Sequence, residues 1–470
     1  MATLEQAQVL VTLLENELNA RTGEAERLNG YYRGEQPLRF ASSEFRDYFA
    51  QRYRGFADNW TQVVADSPVE RLTVTGVKPA GSDGADRELW RVWQVNGLDA
   101  DSQLGFLGAG TTARSFVLVW GNPDDDSTPE VTFEDARECV VAYKPGSRRR
   151  RRAALKRWQD GHTEFATLYL PDEVWKFQRP LLRHARSFHP TGPGGGMTWR
   201  PRDTGDEPNP QPNPLGRVPV VELANRPTLA DEPMSDVAGT VAMQDAINLL
   251  WSQLFTAADY AAFPQRVILG ADMPTTPVLD ENGQVVGEKP VPMEKFAVDR
   301  VLWITGEQAK IAEWSAANLA AYTDVIEVAV GHIAAQTRTP QHYLIGRMAN
   351  LSGDALIAAE TGLVKRVEEK QLWFGQSLRE MFALIALAQG DQAKARAIAA
   401  GSVLWADAES RSQAQLADAL LKLQQVGFPF EWIAARYGLT PTEIADLLAM
   451  KEREAAADPI GAIAAEMGRS

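Results

Sequence analysis

The chain has 470 residues, of which 62 are Asp or Glu and 48 are Lys or Arg, giving a formal net charge of −14 at pH 7. This length allows about two to four domains, and the acidic balance argues against a protein whose whole surface binds nucleic acid, although a local contact with DNA is compatible with it. Cys139 is the only cysteine, no stretch approaches the ~18 apolar residues of a membrane span, and the first residues lack a secretory signal pattern, so we expect a protein of the cytoplasm or of a particle assembled there.

The first 186 residues predict a mixed α/β region. Residues 4–28 carry apolar side chains in helical register, among them Val9, Leu13 and Leu14, and residues 45–65 are also typical of a helix. Apolar or alternating runs bounded by turn residues predict strands at 70–79, 115–120, 138–145, 164–172 and 173–178. Residues 189–216 are too rich in Pro and Gly for regular structure and are interpreted as an excursion or linker.

Five adjacent arginines interrupt this region, between two of the expected strands: Arg148, Arg149, Arg150, Arg151 and Arg152. Because adjacent guanidinium groups repel one another, the run is expected on a solvated loop. Two interpretations stay open, namely the tip of a surface loop, or a contact with phosphate groups or an acidic partner.

Long helices are predicted after residue 236. Apolar residues from Met243 to Ala261, at alternating steps of four and three, indicate the first helix. A second helix begins near Ser315 and ends before Pro340. The insert between them contains Asn282-Gly283 between apolar flanks, a strong signal for a β-hairpin turn.

A third helix follows, with Ser352 as its N-cap. At ~1.5 Å per residue it is expected to be about 50 Å long. Its apolar face consists of Leu356, Leu363, Val367, Phe374, Leu378, Met381 and Ile385.

The first two of these helices lack cations. No Lys or Arg lies between Arg226 and Arg266 or between Lys310 and Arg338. Because each neutralised phosphate adds a salt-dependent term that holds a duplex in place, helices of this kind suit a passage through which DNA slides. The alternative is that both are core helices of an α-helical domain. Acidic residues do occur in the two spans: Asp245, Asp259, Asp324 and Glu327.

The chain after residue 390 is rich in Ala and is predicted to be helical. Residues 431–455 have the outline of a helix-turn-helix, with Gly438 at the turn and Thr440 as a cap. The second helix, however, presents Glu443 and Asp446 instead of the Arg, Asn or Gln expected to face base edges. We interpret the segment as a pair of packed helices, and a DNA-binding regulator that uses it is the alternative function.

No catalytic, cofactor or metal site is expected. Residues 105–112 space two glycines as a phosphate loop does, but Thr111 stands where that loop requires Lys. No two of the five histidines have the four-residue helical spacing of a metal site. A nucleotide-dependent enzyme built around 105–112 is therefore only a remote alternative.

An ordered set of segments carries a family resemblance. The segments are 28–42 (LNGYYRGEQPLRFAS), 59–77 (NWTQVVADSPVERLTVTGV), 115–120 (SFVLVW), 214–227 (PLGRVPVVELANRP), 243–270 (MQDAINLLWSQLFTAADYAAFPQRVILG) and 350–382 (NLSGDALIAAETGLVKRVEEKQLWFGQSLREMF). In order and spacing they resemble the portal proteins of tailed bacteriophages, specifically the SPP1 Gp6-like branch. None of these segments is a catalytic signature, so the specificity of the resemblance lies in the ordered set.

The resemblance implies an α+β, predominantly helical portal fold and a ring of usually about twelve subunits. The implied parts are a wing at 1–236, a first stem helix at 237–262, a clip at 263–312, a second stem helix at 313–336, a tunnel loop at 337–352, a long wing helix at 353–390, and a crown of C-terminal helices at 391–470. The last part matches the family only in helical character.

The resemblance also implies sites and partners. Arg347 lies near the tip of the tunnel loop and is the residue expected to meet DNA, or else to pair with an acid of the adjacent subunit; Tyr343, Met348 and Asn350 belong to the same loop. The ring would pass double-stranded DNA without sequence preference and contact the major capsid protein, the terminase large subunit and the head-tail adaptor, with no membrane involved. ATP hydrolysis would belong to the terminase, and the expected location is the portal vertex of the virion after assembly in the bacterial cytoplasm.

Overall fold

The computed structural model of the chain describes residues 1–38, 41–52, 56–125, 127–181, 198–205, 207–230, 232–262, 266–269, 275–279, 284–290, 301–304, 318–345, 353–409 and 413–457. The chain divides into two compact units. Unit 1 comprises Met1–Glu35, Asn59–Val241 and Ala334–Ser470, and unit 2 comprises Gln36–Asp58 and Ala242–Ile333.

Helices and strands occur in both units. The helices are α1 (Leu4–Tyr32), α2 (Ser43–Arg52), α3 (Trp60–Val69), α4 (Arg87–Val95), α5 (Leu98–Thr112), α6 (Val241–Ala262), α7 (Leu319–Thr337), α8 (Gln341–Ile345), α9 (Gly353–Ala388), α10 (Gln392–Ala399), α11 (Gln413–Gln425), α12 (Phe430–Tyr437) and α13 (Pro441–Ala457). The strands are β1 (Val74–Lys78), β2 (Arg114–Trp120), β3 (Glu130–Glu134), β4 (Cys139–Tyr143), β5 (Arg151–Asp160), β6 (Thr163–Tyr169), β7 (Glu173–Pro180), β8 (Arg200–Pro201), β9 (Gln211–Pro212), β10 (Val220–Ala224), β11 (Arg266–Leu269), β12 (Thr275–Leu279), β13 (Val285–Pro290), β14 (Val301–Ile304) and β15 (Ser402–Trp405). The chain is thus a mixture of helix and sheet, consistent with a portal fold.

Helix α9 forms the centre of unit 1. The apolar face predicted for it is confirmed from Leu363 onwards, since Leu363, Val367, Phe374, Leu378, Met381 and Ile385 are each 0% exposed; the side chain of Leu356 lies outside the described residues. Phe374 stacks on Phe106 of α5 with ring centroids 5.3 Å apart, and Phe382 stacks on Trp93 of α4 at 5.7 Å. Helices α4 and α5 and strands β2 and β10 therefore bury their apolar faces against one long helix.

A separate sheet in unit 1 follows the order β4-β5-β6-β7-β8, with β9 also pairing with β7. Its apolar face packs on α1, which begins with a capping box between Thr3 and Gln6. Val11, Leu14 and Leu18 of α1 face the sheet, whereas Val9 and Leu13 are 58% and 59% exposed. The register predicted for α1 was thus wrong at Val9 and Leu13, because the buried stripe runs through Ala7, Val11, Leu14 and Leu18.

Three local predictions were wrong. The helix expected at 45–65 is two helices, since Asn59 and Thr61 donate hydrogen bonds to the carbonyls of Tyr32 and Tyr31 and turn the chain there. No strand was predicted at Arg151–Asp160, because the sequence of β5 is polar. The linker expected at 189–216 contributes β8 and β9, which pair with β7.

The prediction of helix alone after residue 390 was wrong at 402–405. Strand β15 pairs antiparallel with β1, with Val77 opposite Val403. The residue before β15 is Gly401, and any larger residue is excluded there because a Cβ would overlap the carbonyl oxygen of Lys78. The residues between α9 and Ala408 are therefore integral to the core of unit 1.

Unit 2 contains α2, most of α6, most of α7 and two strand pairs. Strands β12 and β13 pair antiparallel, and β11 and β14 pair parallel. The turn residues Asn282 and Gly283, between β12 and β13, lie outside the described residues.

Helix α6 buries a more polar face than its apolar periodicity predicts. Gln244 and Asn248 are 0% and 3% exposed, whereas Met243 is only half-buried. Gln244 Nε2 donates to the carbonyl of Asp58 at 2.5 Å, and Asn248 Oδ1 accepts from the amide of Asp58 at 3.1 Å. These side-chain amides pair with the backbone N–H and C=O of Asp58, which lies in a non-helical segment. Apolar periodicity does not reveal such a long-range role.

Candidate functional site

The sequence-predicted sites lie in different parts of the chain. Arg347, Met348 and Asn350 are outside the described residues. The four acids predicted to line the stem lie among the described residues: Asp245 is 3% exposed, Asp324 is exposed, and Asp259 and Glu327 are half-buried. Across the described ranges no helix is long and apolar enough to span a membrane, and no three His, Cys, Asp or Glu side chains come together as metal ligands.

Tyr343, which was predicted to belong to the tunnel loop, lies in α8 and is fixed within unit 1. Arg71 Nη2 donates to the Tyr343 hydroxyl at 2.7 Å and to Glu360 Oε2 at 3.1 Å. His342 Nε2 lies 3.8 Å from Glu360 Oε1, and Arg71 Nη1 also donates to the carbonyl of Ala408 at 3.2 Å. One arginine thus ties α8 to α9 and to the C-terminal segment.

A buried ionic cluster lies further along α9. Lys370 Nζ is 2.6 Å from Asp236 Oδ2 and 2.5 Å from Asn225 Oδ1. Arg366 Nη2 is 3.2 Å from Asp236 Oδ1, as an ion pair without hydrogen-bond geometry. The side chains of Asp236, Lys370 and Arg366 are 0%, 2% and 8% exposed, so these charges are removed from water and depend on one another.

The cluster perturbs both of its titrating partners. Burial raises the pKa of the Asp236 carboxyl, but the charges of Lys370 and Arg366 more than offset this and hold the pKa at about 2. Burial lowers the pKa of Lys370, and the attraction of Asp236 offsets only part of that effect. The carboxylate is therefore ionised at neutral pH and serves as the counter-ion of two buried cations.

The same cluster fixes the residues that flank α6 and α7. The Asp236 amide donates to the carbonyl of Gly110 at 2.9 Å, just before α6 begins. Arg366 Nη1 donates to the carbonyl of Thr337, the last residue of α7, and Nη2 to the carbonyl of Val64, each at 3.1 Å. Helix α9 thus holds, within unit 1, both the entry to the first predicted stem helix and the exit from the second.

The glycine-rich segment 105–112 is the second half of α5. Its glycines permit close packing: a Cβ at Gly110 would lie 3.3 Å from Asp236 Oδ2, and a Cβ at Gly105 would overlap the ring of Phe133. Gly105 and Gly110 therefore serve packing.

A cavity of about 690 Å³ in unit 1 adjoins Asp236 and Arg366. Its charged lining residues are of both signs: Arg21, Arg114, Arg226, Arg338, Arg366, Glu24, Glu232, Asp236 and Glu369. Arg114, for example, pairs with Glu222 at 3.1 Å and also with Glu232. Since cations and acids nearly balance there, the cavity does not indicate one class of charged ligand.

The prediction that the arginine run lies on a single solvated loop was wrong. Arg148 is exposed and donates to the carbonyl of Thr228 at 3.0 Å, and Arg149 and Arg150 belong to the turn between β4 and β5. Arg151 and Arg152 begin β5, and Arg151 is only 10% exposed because it pairs with Glu380 of α9. Pairing of β4 with β5 overrides the repulsion that favoured a loop.

The C-terminal helices have the turn that the sequence predicts. Gly438 ends α12 with φ of 105°, and Thr440 Oγ1 accepts from the amide of Glu443 at 3.4 Å, while the Glu443 carboxylate accepts from the Thr440 amide at 2.8 Å. The Glu443 carboxyl has its pKa lowered by these bonds to Thr440. An ionised acid thus lies in the first turn of the helix that a regulator would place against DNA.

Comparison with known proteins decides the family. The family model described as phage portal protein, SPP1 Gp6-like, matches residues 12–457. The chain belongs to the SPP1 Gp6-like phage portal protein family. Two portal proteins, those of Mycobacterium phages D29 and L5, are each 28% identical to it over 413 residues, which is 84% of this chain and 79% of theirs.

Membership in the portal family confirms the resemblance found in the sequence and leaves the helix-turn-helix regulator without support. Sequence reasoning missed the cluster of Asp236, Arg366 and Lys370. One signal was available: Arg366 and Lys370 are four residues apart, on the same side of α9 as Leu363, Val367 and Phe374. Cations within an apolar stripe require a buried partner, although not a particular one.

Proposed function

We propose that this protein is the portal of a tailed phage: a ring at one vertex of the capsid that passes double-stranded DNA during packaging and ejection. The observation that carries the proposal is the portal-family match across residues 12–457. The family is structural and not enzymatic, and portal proteins in general assemble into rings and interact with the capsid and terminase. The proposed details are about twelve subunits, docking of the terminase large subunit and then the head-tail adaptor, and assembly in the host cytoplasm.

We further propose the parts of the subunit. Residues 1–236 and 353–390 are the wing, α6 and α7 belong to the stem, 263–312 is the clip, 337–352 is the tunnel loop, and the last helices are the crown. The absence of Lys and Arg from α6 and α7 supports the stem assignment, because it leaves no cation to hold a passing phosphate. Arg347, Met348 and Asn350 remain the proposed DNA contacts of the tunnel loop, with Tyr343 at its base.

Electron microscopy of the purified protein, with native mass spectrometry to count subunits, tests the proposed function. Closed rings with a central hole wide enough for a DNA duplex are the expected result. Monomers or dimers that form no rings at any protein concentration would contradict the portal assignment. The matched control is the same preparation at a lower protein concentration, since ring assembly depends on concentration by mass action.

A charge reversal in the stem tests the sliding passage. Asp324 is exposed on α7, and Asp324→Lys would place one new cation per subunit on that surface. DNA packaging should slow several-fold, and added salt should relieve the slowing because each new phosphate contact releases counter-ions. A Glu327→Lys variant should behave similarly, whereas Asp324→Asn, which removes the acid without adding a cation, should package at the normal rate. Normal packaging by correctly assembled Lys-substituted rings would overturn the proposed passage.

A further inference from the structure

A cleft of about 510 Å³ in unit 1 has a strongly basic lining. It lies between the β4–β5 hairpin, the segment before β10, α9 and the end of α10. Its charged residues are Lys144, Arg149, Arg150, Arg151, Arg217, Arg379 and Glu380. Six cations therefore face one carboxylate, in a chain whose net charge is −14.

Most of these cations are not neutralised by the protein. Arg151 pairs with Glu380, and Arg379 Nη1 donates to the carbonyl of Gly401 at 3.2 Å. Among the described residues, the side chains of the other four cations form no ion pair or hydrogen bond: Lys144, Arg149, Arg150 and Arg217. Six cations against one acid give the cleft a local positive charge, which favours a bound anion.

Hydrogen bonds fix the backbone of the segments that carry the cations. Ser147 Oγ accepts from the amides of Arg149 and Arg150 at 3.3 and 3.0 Å, and the Lys144 amide donates to the carbonyl of Arg150 at 2.8 Å. Asn213 Nδ2 donates to the carbonyl of Arg217 at 2.8 Å and thereby secures the second segment. The convergence is therefore built by three separate segments and is not a consequence of the arginine run alone.

The run itself divides into two groups. Arg149, Arg150 and Arg151 line the cleft, whereas Arg148 and Arg152 are exposed outside it. Successive residues of a strand point to opposite faces, which separates Arg151 from Arg152. Substitutions of Arg148 and Arg152 can therefore serve as a control, because they remove charge from the same run at positions outside the cleft.

We propose that this cleft binds the phosphate groups of a DNA backbone, without sequence preference. Five of its six cations are arginines, whose planar donors match phosphate oxygens in pairs. The remaining lining residues are small, aliphatic or polar: Pro171, Gly216, Val218, Gln376, Ala383 and Ala399. With no aromatic side chain among the described lining, the cleft lacks the apolar pocket that anchors a protein partner.

This site differs from the proposed stem passage, where helices without cations face the DNA. The two proposals are therefore independent: a passage that lets DNA slide, and a cleft on the body of the subunit that holds it. The proposed DNA binding by the cleft does not depend on how many subunits assemble, because one chain supplies all of the lining residues.

Binding of a short fluorescent DNA duplex to the full chain, measured by anisotropy at several salt concentrations, tests the cleft. The cleft variant is Arg149→Gln with Arg150→Gln, and its matched control is Arg148→Gln with Arg152→Gln, which removes the same charge from the same run. We expect the cleft variant to weaken binding at low salt by about tenfold or more and to reduce the slope of log K against log[salt] by up to about 1.8, with a change of less than about threefold in the control. Arg217→Gln, from a separate segment, should weaken binding in the same direction.

Equal losses in the cleft variant and its control would overturn the proposal, because they would reflect net charge alone. Competition by polyglutamate as effective as competition by unlabelled duplex would also overturn it and would assign the cleft to an acidic protein segment. Native mass spectrometry provides a further test: loss of rings in the cleft variant would show that a neighbouring subunit fills the cleft, whereas intact rings with weakened DNA binding support the proposal. An unchanged melting temperature excludes misfolding of these exposed substitutions.

Discussion

Replacing Asp236 with Asn should lower the free energy of unfolding of unit 1 by about 3–5 kcal/mol at pH 7, because it removes the counter-ion of two buried cations. Lys370 is 2% exposed at its side chain and Arg366 is 8% exposed, so water does not replace the lost carboxylate. Urea unfolding followed by circular dichroism, with variant and wild type at the same protein concentration, measures the loss.

The same comparison has a defined pH dependence. The pKa of Asp236 is lowered from 3.8 to about 2 on folding, so its ionised form contributes stability above the pKa of the unfolded chain, and that contribution is lost as pH falls through the folded pKa. The difference between wild type and Asp236→Asn should therefore be constant from neutral pH to about pH 4 and should shrink towards pH 2. A difference that does not change over this range would contradict the cluster as the cause.

An exposed ion pair provides the control. Asp418 and Lys422 are 2.7 Å apart, but their side chains are 63% and 70% exposed. Asp418→Asn should change stability by less than about 1 kcal/mol, because solvent screens such a pair. Similar losses for Asp236→Asn and Asp418→Asn would show that burial does not set the energy of the cluster.

The cluster marks the limit of what the sequence predicts. The length and buried face of α9 follow from apolar residues at helical spacing, and they need no knowledge of what packs against them. Asp236 is 134 residues from Lys370 in the chain, and nothing local distinguishes it from the many other acids. Only the packing of α9 against the segment before α6 brings the charges together.

Strand pairing sets a similar limit. Strand β15 lies in an Ala-rich region that favours helix, but its pairing with β1 supplies hydrogen bonds from residues more than 300 positions earlier in the chain. The basic cleft is a further example, since Arg217 and Arg379 join the arginine run only after three segments converge. Local patterns thus predict elements and one face of each, whereas tertiary contacts decide which charged residues share a site.

Replacing Phe374 with Ala should lower the free energy of unfolding of unit 1 by about 3–5 kcal/mol, because the ring leaves a cavity in the core that α9 organises. Phe374 is 0% exposed and stacks on Phe106, which in turn lies 5.7 Å from the ring of Trp405 in β15. The loss should therefore loosen β15 as well as α5, and hydrogen exchange should increase at the β1–β15 pair.

Leu372→Ala is the matched control on the same helix, two residues away, where the side chain is 67% exposed. It should change stability by no more than about 0.5 kcal/mol and leave exchange at β1 and β15 unaltered. If Phe374→Ala destabilised the chain without faster exchange at β15, the C-terminal strand would be held independently of the α9 core. Faster exchange in Phe374→Ala and not in Leu372→Ala would instead show that the β1–β15 pair unfolds together with the α9 core of unit 1.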